Sequence, residues 1–360
     1  MKHALITVLV ALAVVAAMNR ESSFPRMTEI TLAEPVFVIG IDRQPGGSGV
    51  IVSIVYEKIE ASDEGGDSPN QKYTDSAEGS SVAAALETLK KRFPREMAVS
   101  TADYFLIGEA AARDGLEEHI AFLSDNNTLR LSASVFIVKG AARGAVTACE
   151  ILTETKTLDI LRNYGEYSGI NAVSSRMRFY ELLGEIASRN AFTVPSLVIK
   201  EHDNRQIAVP SGYAIIKGDV LQGFLDEASA RGYNILRNKS VFSVVELAKI
   251  NAAARLENAK CRISFNWDGD NLTGIVINAD VFTSVIGGDA DYLIEKEQSR
   301  IIFGEIQRAV EASKRYNCDF LGFGEALRMR HPIRWEGLKN TWEEIYDRTP
   351  IKINVNSHIR

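Results

Sequence analysis

The residues able to do chemistry are few and scattered along the chain. The densest run of oxygen donors is Asn266-Trp267-Asp268-Gly269-Asp270-Asn271. A calcium loop needs roughly 6–8 oxygens, and no acid stands at its closing position here, so the run reads as an Asp-Gly hairpin turn. Gly287-Gly288-Asp289-Ala290-Asp291 places two acids just ahead of a helix, where they suit its positive end. Gly46, Gly47 and Gly49 follow a strand, as in a phosphate-binding loop. A second strand comes next, however, and without a helix N-terminus there is no phosphate cradle. The five histidines include His119, beside Glu117 and Glu118 on what reads as a solvated helix face. His202 lies in a charged stretch and His331 in a loop before Pro332. None stands at metal spacing with a cysteine or a second histidine. Gly-x-Ser-x-Gly, His-Glu-x-x-His and a loop ending Gly-Lys-Ser/Thr are all missing. Cys149, Cys261 and Cys318 are too widely spaced for a Cys-x-x-Cys pair, and their odd number argues against a disulfide framework. They read as small buried apolar side chains. The expectation is no catalytic residue, no metal and no cofactor.

The tail is unusual in another way. Lys314 to Glu325 ends in Asp319-Phe320-Leu321-Gly322-Phe323-Gly324-Glu325, and Pro332, Trp335 and Trp342 follow, two of the chain's three tryptophans. Gly322 and Gly324 allow a sharp turn or a close approach around Phe323. The favoured reading is a junction that packs Phe323, Trp335 and Trp342 into a core. The rival is an exposed aromatic patch for a partner.

The elements that must position these residues follow from periodicity. Val36–Ile41 and Val50–Ile59 read as strands joined by the glycine turn, and 61–80 as a polar loop. Ser80 or Ser81 caps a helix carrying Val82, Leu86, Leu89 and Phe93 on one face, stopped by Pro94. Tyr104–Ile107 and Leu131–Lys139 read as strands. Gly115–Leu123, Ala141–Leu161 and Arg176–Arg189 read as helices, and Pro195 opens another strand. Lys200–Ala208 is a linker or hairpin tip, and Gly218-Asp219 turns a hairpin between Gly212–Lys217 and Val220–Leu225. Ile263, Phe265 and Trp267 alternate with polar residues, so that strand has one buried face. Leu272–Phe282 is its partner. A helix over 291–316 turns Ile294, Ile301, Ile302, Ile306 and Val310 to one side, and Ile351, Ile353 and Val355 point inward from a final strand. The fold class is α+β: three αβ domains with mixed and antiparallel sheets and packed helices. The division is 1–23 as a signal or anchor segment, 24–199 as an N-terminal domain, 200–245 as a small middle domain and 246–360 as a C-terminal domain.

A chain of 360 residues exceeds one ordinary core, which agrees with several domains. Acidic residues (47) outnumber basic ones (41) and no basic block exists, so nucleic acid is not a partner. Lys2 and His3 precede an apolar run from Ala4 to Met18. At about 15 residues it falls short of a spanning helix and suits the core of an export signal.

The tail motifs, taken with others in order, resemble the Ger(x)C family, the C subunits of spore germinant receptors. Asp319 to Glu325, Pro332, Trp335 and Trp342-Glu343-Glu344-Ile345-Tyr346 match its closing region. Gly40-Ile41-Asp42 is similar to the end of its opening strand. Leu106 to Glu109, Ala112 to Leu116 and Arg130 are similar to its first domain, and Gly212 to Asp219 with Gly223 to Asp226 to its middle unit. The resemblance implies a non-enzymatic, lipoprotein-like subunit on the outer face of the spore inner membrane, assembled with membrane A and B subunits. It implies structural or interface roles for Asp42, Arg130, Asp319, Gly322, Phe323, Gly324, Pro332, Trp335 and Trp342. One departure stands out: Phe24 to Ile30 occupies the place of the family's lipobox cysteine. Lipidation there lacks its thiol, so either the apolar segment from Ala4 to Met18 anchors the protein or the other subunits hold it. Two rival readings are an exported solute-binding protein, which needs a cleft lined by aromatic and polar groups, and an exported hydrolase.

Overall fold

The computed structural model describes residues 33–58, 72–125, 129–149, 156–166, 174–188, 190–238, 244–287 and 291–359. Glu34–Arg360 forms one compact unit. The signal or anchor segment, with Ala4 and Met18, lies outside the described residues.

The first sheet begins with β1 (Ala33–Arg43), β2 (Val50–Glu57) and β3 (Lys72–Gly79). β2 pairs antiparallel with both β1 and β3, and β3 lies at the edge. The sequence puts 72–79 in a loop, and the structure corrects this. An edge strand pairs through its backbone along β2 and needs no apolar period of its own, so a polar strand escapes a hydrophobicity reading. Ser81 caps α1 (Val82–Lys90), its hydroxyl accepting from Ala84 N, and Val82, Leu86 and Leu89 are buried as their spacing requires.

After the short β4 (Glu96–Ala98), β5 (Tyr104–Gly108) lies parallel to β1. Helices α2 (Glu109–Asp114) and α3 (Leu116–Asp125) follow. Next come β6 (Ser134–Lys139), α4 (Ala142–Thr147), α5 (Lys156–Glu166), α6 (Phe179–Ser188) and β7 (Ala191–His202). The single helix expected over 141–161 is thus two, with 150–155 between them outside the described residues. β5, β6 and β7 are parallel neighbours. Apolar clusters cover both faces of this sheet, which is why Phe105-Leu106-Ile107 and Val135 to Val138 are unbroken apolar runs.

The sheet does not stop at residue 200. β7 turns through Asp203-Asn204, both at positive φ, into β8 (Arg205–Lys217), and β8 turns through Gly218 into β9 (Val220–Leu225). Residues expected in a middle unit therefore continue the first sheet. Asp226 then caps α7 (Glu227–Leu236), accepting from Ser229 N.

The second sheet contains β10 (Val244–Leu247), β11 (Ala252–Asp268) and β12 (Asn271–Gly287). The long α8 (Asp291–Arg315) buries Ile294, Ile302 and Ile306. The tail folds as α9 (Phe323–Arg330), α10 (Pro332–Leu338), α11 (Trp342–Arg348) and β13 (Ile351–Ile359). β13 pairs parallel with β12. On β11, residues 262–268 alternate between exposed and half-buried, as a one-sided sheet demands. Tyr213, Ile215 and Leu225 of the first sheet share one core with α7, α8 and the second sheet. Gly232 makes this joint possible: a Cβ there would meet the backbone oxygen of Glu305, so α7 and α8 touch main chain to main chain.

One further expectation changes. His119 is buried, not solvated, because it shares the inward face of α3 with Leu116 and Ile120. His331 lies in the short link between α9 and α10, as expected, with no side-chain capping bond to α10. Cys149 and Cys318 are buried as expected, whereas Cys261 is half-buried.

The Asp319 closure and its cleft

The turn between α8 and α9 is built around one carboxylate. Asp319 Oδ1 accepts from Gly322 N at 3.1 Å and Phe323 N at 3.0 Å. Oδ2 accepts from Gly324 N at 2.7 Å and from Trp342 Nε1 at 2.9 Å. Three of these donors are backbone groups at the start of α9, which have no partner within the helix. The fourth ties α11 to the same oxygen. Burial pushes the Asp319 acid up to about 6, while the N–H of Gly324, the Trp342 indole and the N–H groups of Phe323 and Gly322 pull it down.

Each glycine of the motif has its own reason. Gly322 sits at φ 79°, a left-handed conformation that strains any residue with a Cβ. Gly324 lies under the two indoles: a Cβ would stand 2.7 Å from Trp342 Nε1 and 3.1 Å from Cη2 of Trp335. Phe323 is fully buried, and its ring lies 5.7 Å from that of Tyr346. Tyr346 stacks on Trp342 at 5.8 Å, and Trp342 meets Trp335 edge-on at 5.5 Å. Pro332 starts α10, where its missing N–H is not needed. The structure thus brings Asp319, Gly322, Phe323, Gly324, Trp335 and Trp342 together, with Pro332 aiming the helix that carries Trp335.

Asp42 and Arg130 belong elsewhere. Asp42 ends β1 and accepts from Ala142 N and Arg143 N, both at 2.7 Å, capping α4. Burial raises its acid and these two bonds oppose the shift. Gly108 is needed beside it, since a Cβ there would collide with the carboxylate. Arg130 forms an exposed ion pair with Asp103, and its Nε donates to Ser132 Oγ at 3.2 Å.

Spacing did not expose two further participants, Ser313 and Lys217. Ser313 accepts from Tyr346 Oη at 2.8 Å and donates to the Cys318 carbonyl at 2.6 Å. Lys217 pairs with Glu343 at 2.9 Å and donates to the Asn317 carbonyl, joining β8 to the tail. These links span up to 126 residues, so no local pattern announces them. A cleft of about 720 Å³ opens beside the closure, lined by residues that include Glu181, Gly184, Lys217, Gly324, Trp335 and Trp342.

The arrangement holds structure rather than reacting groups. Four donors occupy the two oxygens of Asp319. Burial pushes the Cys149 and Cys318 thiols up to about 12 and that of Cys261 up to about 11, so none is a thiolate at neutral pH. Among the described residues no group of three or more His, Cys, Asp or Glu is placed to hold a metal. Nor is any described helix long and apolar enough to cross a membrane.

Known proteins share this plan. Residues 26–199 match the family model described as spore germination protein N-terminal domain, and residues 211–360 the one described as spore germination B3/GerAC like, C-terminal. Spore germination protein KC of Bacillus subtilis (strain 168) is 24% identical over 79% of this chain and 77% of its own. Spore germination protein YndF of the same strain is 25% identical over 64% of this chain, which spans 60% of that relative's length. The putative spore germination protein YfkR, also from that strain, is 25% identical over 76% of this chain and 74% of its own. The crystal structure of the GerBC protein superposes with a TM-score of 0.57 at 14% identity, covering 89% of this chain and 96% of that one, which is a likeness of fold.

Proposed function

We propose that this chain, which belongs to the Ger(x)C family of spore germination proteins, is the non-enzymatic C subunit of a nutrient germinant receptor. The observation that carries the reading is the closure. The acid, glycines and tryptophans of the tail motif are engaged with one another, as in a subunit whose work is to hold a shape and present surfaces. Its partners are the membrane A and B subunits, and its place is the outer face of the spore inner membrane. The structural roles of Asp42, Arg130, Asp319, Gly322, Phe323, Gly324, Pro332, Trp335 and Trp342 belong to this reading. Specificity for the nutrient lies in other subunits.

The test is an in-frame deletion in the spore-forming host. Its spores should lose the response to one nutrient while still germinating with a trigger that bypasses receptors, and a restored copy should return the response. Unchanged responses to every nutrient would count against the proposal.

The cleft beside Trp335 and Trp342 favours a second reading, that of a solute-binding module. Tryptophan fluorescence titrated with amino acids and sugars decides it. A saturable change lost in Trp335→Ala supports a ligand there.

A further inference from the structure

We propose that the groove between α8 and the outer edge of β13 takes up, as an added strand, an extended apolar segment of a partner polypeptide. Among the described residues β13 is the last strand of its sheet, with β12 as its one strand neighbour. Successive residues of a parallel strand direct their backbone groups to opposite sides. The Pro350 carbonyl accepts from Ile275 N, so the even-numbered residues face β12. The odd-numbered residues face outward, and two of them show it. Ser357 N donates to Ser299 Oγ at 3.2 Å, and Ile359 N donates to Glu295 Oε1 at 3.1 Å. Side chains of α8 therefore seal the C-terminal end of the edge.

At the other end the edge is open. Among the described residues no side chain of α8 caps the N–H groups of Ile351, Ile353 and Val355. There the helix and strand part around a hollow of about 320 Å³ lined by residues that include Phe303, Gln307, Val310, Ile351 and Ile353. Phe303 is 40% exposed, a large apolar ring on the rim of an open strand edge. No proline interrupts β13 and no register shift breaks its pairing with β12, so two common protections of an edge are missing.

The chemistry of the groove selects its occupant. Outward N–H and C=O groups on alternate residues are satisfied best by another strand. The sealed end limits that strand to the stretch from Ile351 to Val355. The hollow asks for an apolar side chain facing Phe303 and Val310. A second copy of this chain fits poorly. Helix α8 runs beside the strand, touching it at the sealed end through Glu295 and forming the far rim of the hollow through Phe303 and Val310. Two-fold pairing of β13 with itself would bring two such helices into one space. The inference deepens the receptor-subunit reading, and rests on it only for which assembly supplies the segment.

The test uses the full chain and a fluorescein-labelled peptide, Lys-Thr-Ile-Thr-Val-Thr-Lys, followed by fluorescence anisotropy. N-methylation at one set of alternate peptide residues should weaken binding by about tenfold or more, and at the intervening set by less than about twofold. Ile353→Pro removes an outward N–H that has no partner among the described residues, and edge strands tolerate proline there. That variant should keep its circular dichroism spectrum and urea midpoint yet lose the peptide. Phe303→Asp should lose it as well. Three results would overturn the proposal: no saturable binding, binding indifferent to both the methylation pattern and Ile353→Pro, or a full-chain dimer that the peptide does not dissociate. A chain that fails to bind peptide while its deletion still abolishes a nutrient response would remove the groove and leave the receptor reading standing.

Discussion

Gly324→Ala turns the tightest contact of the closure into a measurable quantity. The added Cβ would lie 2.7 Å from Trp342 Nε1 and 3.0 Å from its Cε2. To regain ordinary contact the indole must retreat by roughly 0.7 Å, which takes its N–H out of the 2.9 Å bond to Asp319. A hydrogen bond to a charged acceptor contributes about 1.5–3 kcal/mol. Alanine is favoured over glycine inside a helix by about 1 kcal/mol, and Gly324 is the second residue of α9. The net expectation is a loss of about 0.5–2 kcal/mol. In a Trp342→Phe background the colliding nitrogen and its neighbouring ring carbon are gone. The same substitution then keeps the helix gain against the remaining 3.1 Å contact with Trp335, and becomes neutral or stabilising by less than about 1 kcal/mol. Urea unfolding of the wild type, both single variants and the double variant, read by circular dichroism, gives the coupling energy. A coupling of about 1–3 kcal/mol is expected. Additivity within about 0.5 kcal/mol would refute the claim that this glycine admits the indole.

Three further outcomes follow from the same packing. Burial raises Asp319 from the ordinary 3.8 to about 6, so the folded state binds its proton more tightly than the unfolded state does. Its contribution should therefore fall as pH rises from about 4 to about 6, by about 3 kcal/mol at most, and a plot of unfolding free energy against pH should lose that slope in Asp319→Asn. Gly232→Ala must push α7 off the backbone of α8; a loss of about 1–3 kcal/mol in urea unfolding is expected, and a gain from helix propensity would contradict the contact. Arg231 pairs at 2.7 Å with Glu305, which is buried and has its acid raised by that burial. Arg231→Ala should lower stability by about 2–4 kcal/mol at neutral pH, with a smaller penalty in acid, where Glu305 takes up its proton.

Much of the fold was legible because the core is periodic. Val82, Leu86 and Leu89 marked a helix and Ser80 or Ser81 its cap, of which the structure uses Ser81, while the alternation from Arg262 to Asp268 marked a one-sided strand. The misses share a cause. β3 is stabilised by backbone pairing that polar residues satisfy equally well, so its sequence looked like a loop. His119 was read by its acidic neighbours Glu117 and Glu118, whereas its burial depends on which face α3 turns inward. The candidate site was legible as a set of residues but not as a mechanism. Asp319 and Trp342 are adjacent only because α9 and α10 bring the chain back, and the role of Ser313 depends on Tyr346, which arrives 33 residues later. Gly232 gave no signal, because its reason lies in the backbone of a helix far along the chain.

The central claim is that the closure holds the subunit in shape and takes no part in chemistry. The most direct measurement places Asp319→Asn at the native locus and records two quantities from the same spores: the amount of chain in the membrane fraction and the rate of nutrient-triggered germination. The account predicts that the rate falls in step with the amount, so that the response per copy stays constant. A chain present at the wild-type level, with its nutrient response abolished, would contradict it.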